Sequence, residues 1–153
     1  MTDSIAPASG EAFSVVVVDD APANLMLLAG LLEDAGYDVR VANSGQRGLA
    51  LIEREAPDVV LLDVNLPDRD GFAICRELRA NPALEAMAVV FLSAADDPES
   101  RAKAREAGGA EYLVKPFEAS EVLDRVRLHA RLSRALKENA SLRAELASLR
   151  ARV

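Results

Sequence analysis

The run Phe13-Ser14-Val15-Val16-Val17-Val18-Asp19-Asp20 sets four consecutive valines directly before two aspartates. A strand with one wet face alternates apolar and polar residues; an unbroken β-branched run reads instead as a strand buried on both faces, as in a parallel sheet covered by helices. Working outward, Ala21 to Gly36 carries Leu25, Leu28, Leu31 and Leu32 at helical spacing, with Gly36 as the stop signal. Tyr37–Ala42 reads as a second, shorter strand. Ser44–Ala56 reads as a helix ended before Pro57, and Asp58–Asp63 as a third strand. Asp70-Gly71 opens a helix through Ala80, and Met87–Leu92 gives strand four. Asp96 or Asp97 caps a helix that runs to Gly108-Gly109, Glu111–Val114 gives strand five, and helical signals continue from Glu118 onward. This alternation predicts an α/β fold, a doubly wound five-stranded parallel sheet with helices on both faces. The first eleven residues, polar with Ser, Ala and Pro, read as a disordered arm.

Composition agrees. Half the residues are hydrophobic, but aromatics are only 4% and Trp is absent, so the core must be Val, Leu, Ile and Ala. Length fits one domain with room for one extra element. The one cysteine, Cys75, cannot close an internal disulfide and reads as core filler in a reducing compartment. No basic leader precedes a long apolar run, and Phe13–Val18 is too short to span a bilayer, so the expected location is cytoplasmic, with no membrane partner. Charge divides the chain. Residues 1–117 hold 10 Lys+Arg against 20 Asp+Glu, net −10, whereas residues 118–153 hold 8 against 5, net +3. Nucleic-acid binding needs clustered cations, which the acidic part lacks.

Placed on these elements, the polar residues converge. Asp19 and Asp20 end strand one, Asp63 ends strand three, Ser93 follows strand four and Lys115 follows strand five. In a parallel sheet those ends share one edge, where open α/β sheets bind ligands. Strand two ends in Ala42-Asn43 without a charged group, which fits the order 2-1-3-4-5 with strand two peripheral. Three carboxylates within roughly 5 Å repel by about 3 kcal/mol per pair at an effective dielectric of ~20. Either one acid has a raised pKa or a hard cation takes their oxygens. With no His or Cys in the cluster, Mg²⁺ fits better than Zn²⁺. Such an ion with a Lys opposite can neutralise a phosphoryl group in flight, leaving Asp63 as the natural nucleophile.

These residues, in four segments of a likeness that runs from about 13 to 130, resemble the response-regulator receiver domain of two-component signalling. The matching signatures are Val17-Val18-Asp19-Asp20, the loop from Asp63 through Asn65, Pro67 and Asp70 to Gly71, Ser93-Ala94, and Tyr112-Leu113-Val114-Lys115-Pro116-Phe117. The resemblance implies that Asp63 accepts a phosphoryl group from a histidine kinase or phosphotransfer protein. It also implies that the Asn65 carbonyl completes the metal ligands begun by Asp19, Asp20 and Asp63. Ser93 would bond a phosphoryl oxygen, Tyr112 would turn inward when Ser93 moves, and Lys115 would pair with the phosphate. The Lys115–Pro116 bond would be cis, as the family usually has it. Signal would leave through the face of helix four, strand five and helix five. Ser93 stands where Thr is commoner, and Leu66 and Arg69 where the family often has Met. Arg69 is the least expected; a salt bridge to an acid such as Asp68 or a change in kinase docking are its two readings.

From Leu128 a heptad register runs with Leu132, Asn139, Leu146 and Val153 at a, and Leu128, Ala135, Leu142 and Leu149 at d. About four heptads argue a coiled coil extending the fifth helix over residues 131–153, beyond a receiver domain at 12–130. A single Asn at a favours two parallel strands, and Glu138 and Glu145 at g would meet Arg143 and Arg150 at e of a second copy, giving a homodimer through residues 128–153. The plainer reading is an amphipathic helix folded back on its own domain. His129 as a phospho-donor lacks the acid expected after it, and the arginines from Arg125 to Arg134 read as a solvated face. An aspartyl-phosphate phosphatase or phosphotransferase of another α/β fold would carry Asp-x-Asp at its nucleophile and a cap domain. A flavodoxin-like cofactor binder would need a Ser/Thr/Gly-rich first loop. Ending at Val153, the chain reads as a stand-alone regulator or as the front of a longer protein with an output domain.

Overall fold

The structure is a computed structural model that describes residues 12–151; the N-terminal arm, residues 1–11, and the a-position Val153 lie outside them. Five parallel strands, β1 (Ser14–Val18), β2 (Asp38–Ala42), β3 (Val59–Asp63), β4 (Ala88–Ser93) and β5 (Glu111–Val114), form one sheet in the order β2-β1-β3-β4-β5. Between them run α1 (Pro22–Asp34), α2 (Gly45–Glu55), α3 (Gly71–Arg79) and α4 (Pro98–Glu106), and α5 (Ala119–Ala151) follows β5. A 3-10 turn at Pro82–Leu84, which the sequence reading lacked, precedes β4.

The valine run does what its composition requires. Val16 and Val18 point with Val60, Leu62, Val89 and Phe91 into a core shared with α2, α3 and α4. Their neighbours Val15 and Val17 point with Leu61, Val90 and Leu92 the other way, onto Leu25, Leu28 and Leu32 of α1 and Val122, Val126 and Ala130 of α5. Each face is apolar because each is covered by helices. Cys75 is fully buried in the first core, and burial pushes its thiol above its ordinary pKa, so it is inert filler. No helix among the described residues is long and apolar enough to cross a membrane.

Helix ends follow the expected side chains with small corrections. Of the two candidate caps for α4, Asp97 accepts from the Ser100 amide at 3.1 Å, while Asp96 pairs with Arg101 at 2.6 Å. The α2 helix closes on Ala56 in the left-handed region, φ 45°, directly before Pro57. A non-glycine residue there carries strain, and the chain must turn at that point to enter β3.

The α5 helix has two faces. Val122, Val126, Ala130 and Ser133 dock on the sheet, and the docked stripe ends in a charged clasp. Asp58, 1% exposed, accepts from Arg134 Nη2 at 2.9 Å, Lys137 Nζ at 3.0 Å and the Ser14 amide at 2.9 Å. Lys137 also donates to the Ala56 carbonyl at 3.2 Å, and the Arg134 guanidinium lies 5.0 Å from the centroid of the Phe13 ring. The arginine-rich stretch is therefore not simply a solvated face: Arg134 ties the helix to the amino-terminal edge of the sheet. His129 is likewise committed to structure, 3.0 Å from Glu111. From Glu138 to Arg150 every residue is exposed, so the helix leaves the domain rather than folding back on it.

Burial by itself raises the pKa of Asp58, but hydrogen bonds from Arg134, the Ser14 amide and Lys137 outweigh it and hold the carboxyl below its ordinary value. A depressed carboxylate pKa adds stability above the unfolded-state value and loses it as pH falls through the folded-state value. Asp58→Ala is therefore expected to lower the unfolding free energy by about 2–3 kcal/mol near neutral pH, because Arg134 and Lys137 can rehydrate only in part. The gap from the native chain should narrow below about pH 4. Urea denaturation across pH measures both, and amide exchange should rise over residues 130–138.

Candidate functional site

The register of the parallel ladder sets the site. Val18 is paired with Leu62, Asp63 with Leu92 and Ser93 with Val114, so β1, β3, β4 and β5 end level with one another. The ladder continues one step into the loops that carry the polar groups. The Asp19 amide donates to Ala42 O at 3.2 Å, the Val64 amide to Leu92 O at 3.0 Å and the Lys115 amide to Ser93 O at 2.8 Å. Backbone hydrogen bonds thus hold the loop starts in register, a firmer support than side-chain packing alone would give.

Asp19, Asp20 and Asp63 each offer one carboxylate oxygen, and these oxygens lie within 4.8 Å of one another. Asp19 is fully buried, Asp63 5% exposed and Asp20 exposed, so the cluster opens to solvent on the Asp20 side. Lys115 Nζ bridges the two buried acids, 3.1 Å from Asp63 Oδ2 and 3.2 Å from Asp19 Oδ2. The remaining Asp63 oxygen accepts from the Asn65 amide at 3.0 Å. Asp19 accepts from the Ala21 amide at 2.9 Å and from Asn24 at 3.4 Å, a residue the sequence reading did not single out. Asn24 lies on the first turns of α1, so only helix geometry brings it back to the strand end.

Electrostatics follow from this packing. Burial raises the Asp63 pKa most; the Asn65 amide and Lys115 oppose it, the Asp19 charge adds to it, and the net shift is upward. Lys115 is desolvated, which lowers its pKa, but its contacts with Asp63 and Asp19 more than reverse that and keep it cationic. One lysine against three carboxylates leaves an excess of negative charge and of oxygen donors. That donor set, all oxygen with no His or Cys, fits a hard divalent cation.

The other predicted residues surround this cluster. Ser93 is the last residue of β4 rather than one beyond it, buried, with its Oγ accepting from the Ala95 amide at 3.1 Å. Tyr112, half-buried, donates its hydroxyl to the Ala95 carbonyl at 2.6 Å, so both residues hold the same short loop. The Lys115–Pro116 bond is cis. Leu66 and Pro67 follow Asn65 in the β3–α3 loop, which an Asn65–Asp70 bridge and the Asp70 cap of α3, donated by the Phe72 amide at 3.0 Å, close off. Arg69 does not pair with Asp68. It reaches Glu77 at 3.3 Å, while Asp68 accepts from the Gly45 and Gln46 amides at 2.8 and 2.9 Å and so caps α2 from the neighbouring loop. Those two amides are unsatisfied helix-start donors, a stronger attraction for a carboxylate than a half-buried guanidinium already paired with Glu77.

The response regulator receiver domain family matches residues 15–127 of the chain. Response regulator PleD of Caulobacter vibrioides is 36% identical over 124 residues, covering 81% of this chain and 27% of PleD. The DNA-binding dual master transcriptional regulator RpaA of a Synechocystis species is 38% identical over 113 residues, 74% of this chain and 47% of RpaA. The chain therefore spans less than half the length of either relative. A crystal structure of a putative response regulator from Chloroflexus aurantiacus superposes with a TM-score of 0.75 at 34% identity, covering 79% of this chain and 99% of that one.

Gly71 is where this site is sterically most exacting. A Cβ there would stand 2.5 Å from the Asp63 carbonyl oxygen and 2.8 Å from Val64 Cα, both backbone atoms. Gly71→Ala must displace the β3–α3 loop, and a cost of about 1–3 kcal/mol is expected. Denaturation midpoints measure it, and the amide resonances of residues 63–66 should shift more than those of β2.

Proposed function

We propose that Asp63 is the phosphorylation site of this chain, which belongs to the response regulator receiver domain family. Members of that family are phosphorylation-dependent signalling switches of two-component systems, and this chain is one. The reading of Asp63 rests on one observation: it is a buried carboxylate at the sheet edge, held by Lys115 at 3.1 Å and by the Asn65 amide at 3.0 Å, with two further acids alongside.

In this reading an Asp63 oxygen attacks phosphorus on the phosphohistidine of a histidine kinase or phosphotransfer protein. The O–P bond forms as the N–P bond breaks, and the donor imidazole is the leaving group. Asp19, Asp20, Asp63 and the Asn65 carbonyl hold Mg²⁺, which when bound supplies positive charge for the phosphoryl oxygens. Lys115, already positioned by Asp63 and Asp19, transfers its contact to a phosphoryl oxygen, and Ser93 offers its hydroxyl to another. Because Ser93 and Tyr112 both hold the Ala95 loop, drawing Ser93 toward the phosphate frees Tyr112 to turn inward. This carries the change to the face of α4, β5 and α5. The chain's own chemistry is limited to gaining and losing that phosphoryl group.

Output runs through α5. Leu128, Leu132, Leu142, Leu146 and Leu149 are 46–63% exposed along the face turned away from the docked stripe, in the a and d positions of the heptads. A second copy is the natural cover for such a stripe, giving a parallel dimer with the receiver domain at 12–130 and the coil at 131–153. A folded output domain beyond residue 153 and a cytoplasmic location belong to the same reading. An Asp-x-Asp phosphatase draws no support from a cluster whose acids are adjacent.

Incubation with acetyl phosphate and Mg²⁺ should add one phosphoryl group by intact-mass measurement. The group should be absent in Asp63→Asn and after chelation of the metal. Retention of label in Asp63→Asn would remove the assignment. Asp20→Asn is expected to weaken Mg²⁺ binding by at least tenfold, read by thermal shift against Mg²⁺ concentration. Sedimentation should give a dimer for the full chain and a monomer after Leu142→Asp with Leu146→Asp.

A further inference from the structure

Along the projecting helix, the flanking charges match except at one step. Glu138 precedes Arg143 by five residues and Glu145 precedes Arg150 by five, which is the g-to-e spacing across a parallel two-stranded seam. The step before them runs from Arg131 to Leu136, a cation facing a leucine. The fold shows what lies beside that leucine. Leu136, Ala140 and Arg143 form one wall of a groove whose other wall is the turn before β4, with Pro82, Ala83, Glu85 and Ala86. The groove mixes apolar and polar surface, with Lys137 and Asn139 also lining it on the helix side. Glu85 is exposed and makes no side-chain ion pair among the described residues.

Arg131 is also exposed and free of ion pairs among the described residues. Five residues separate it from Leu136, about 140° round the helix, so it stands on the far flank from its own groove. In a parallel pair that far flank of one helix meets the near flank of the other. We propose that the partner's Arg131 crosses Leu136 to pair with Glu85, so that each receiver domain grips the helix of the second copy. The proposal rests on the parallel dimer described above. The groove reaches the heptad seam through the a-position residue Asn139, the charges are complementary, and Leu136 supplies the apolar surface that an arginine stem covers. Two-fold symmetry makes the contact twice. Its effect is to fix the angle between receiver domain and coil, since it engages the β4 turn as well as α5.

The test uses the full chain in low salt, with dimerisation followed by sedimentation over a concentration series. Glu85→Arg is expected to weaken dimerisation about three- to tenfold, the range for two exposed ion pairs lost and like charges gained. Adding Arg131→Glu should restore it, a reversal that a folding defect would not produce. Separately tagged Glu85→Cys and Arg131→Cys chains, mixed and treated with a short bismaleimide, should give a product carrying both tags, with buried Cys75 unreactive. A native dimer whose affinity ignores Glu85→Arg, or that gives no mixed product, overturns this contact and leaves the coil standing. A native chain that is monomeric at every concentration overturns both.

Discussion

Asp19 and Asp63 are buried side by side at the end of a parallel sheet, and the ammonium of Lys115 is the only cation among the described residues that touches them both. The level strand ends, the ladder bonds that extend into the loops and the close approach of Gly71 to the Asp63 carbonyl all serve to keep this arrangement. The fold tolerates repulsion there because the acids gain hydrogen bonds from the Ala21 and Asn65 amides, which water would otherwise supply. One lysine does not balance three acids, so the site keeps an excess of negative charge.

The opposite edge of the sheet has the contrary character. Asp58 is as buried as Asp19, yet it meets two cations and an amide and is balanced where it stands. Its clasp fixes where α5 leaves the domain. The docked stripe and the leucine stripe lie on opposite sides of that helix, so the same element closes the second core and leaves an apolar face exposed. The two ends of the sheet therefore differ in charge balance, an excess of acid at the carboxyl end and a matched clasp at the amino end.

Much of this was legible along the chain. The apolar runs announced the strands, and their uniform β-branched content announced burial on both faces. With parallel strands, Asp19, Asp20, Asp63, Ser93 and Lys115 had to share an edge. The leucine spacing of the last helix was also readable, since a helical stripe repeats without reference to the domain. Arg134 was misread as solvated and Lys137 was passed over, because nothing in a helical stretch says that a carboxylate 76 to 79 residues earlier will be buried beneath it. Asp68 was similarly hidden: the amides it caps belong to another helix.

What the sequence determined by itself is whatever depends on periodicity and on element ends: the strand and helix order, the two apolar faces, the acid cluster and the leucine stripe. Tertiary structure alone decided which distant groups meet, with Asp58 under Arg134 and Lys137, Asp68 on α2 rather than on Arg69, and Glu85 beside Leu136. The reason is physical. Hydrophobic patterning acts locally and repeats, so it is written in spacing, whereas the value of a charge is set by how much water its neighbours remove, and those neighbours are fixed only once the chain has folded.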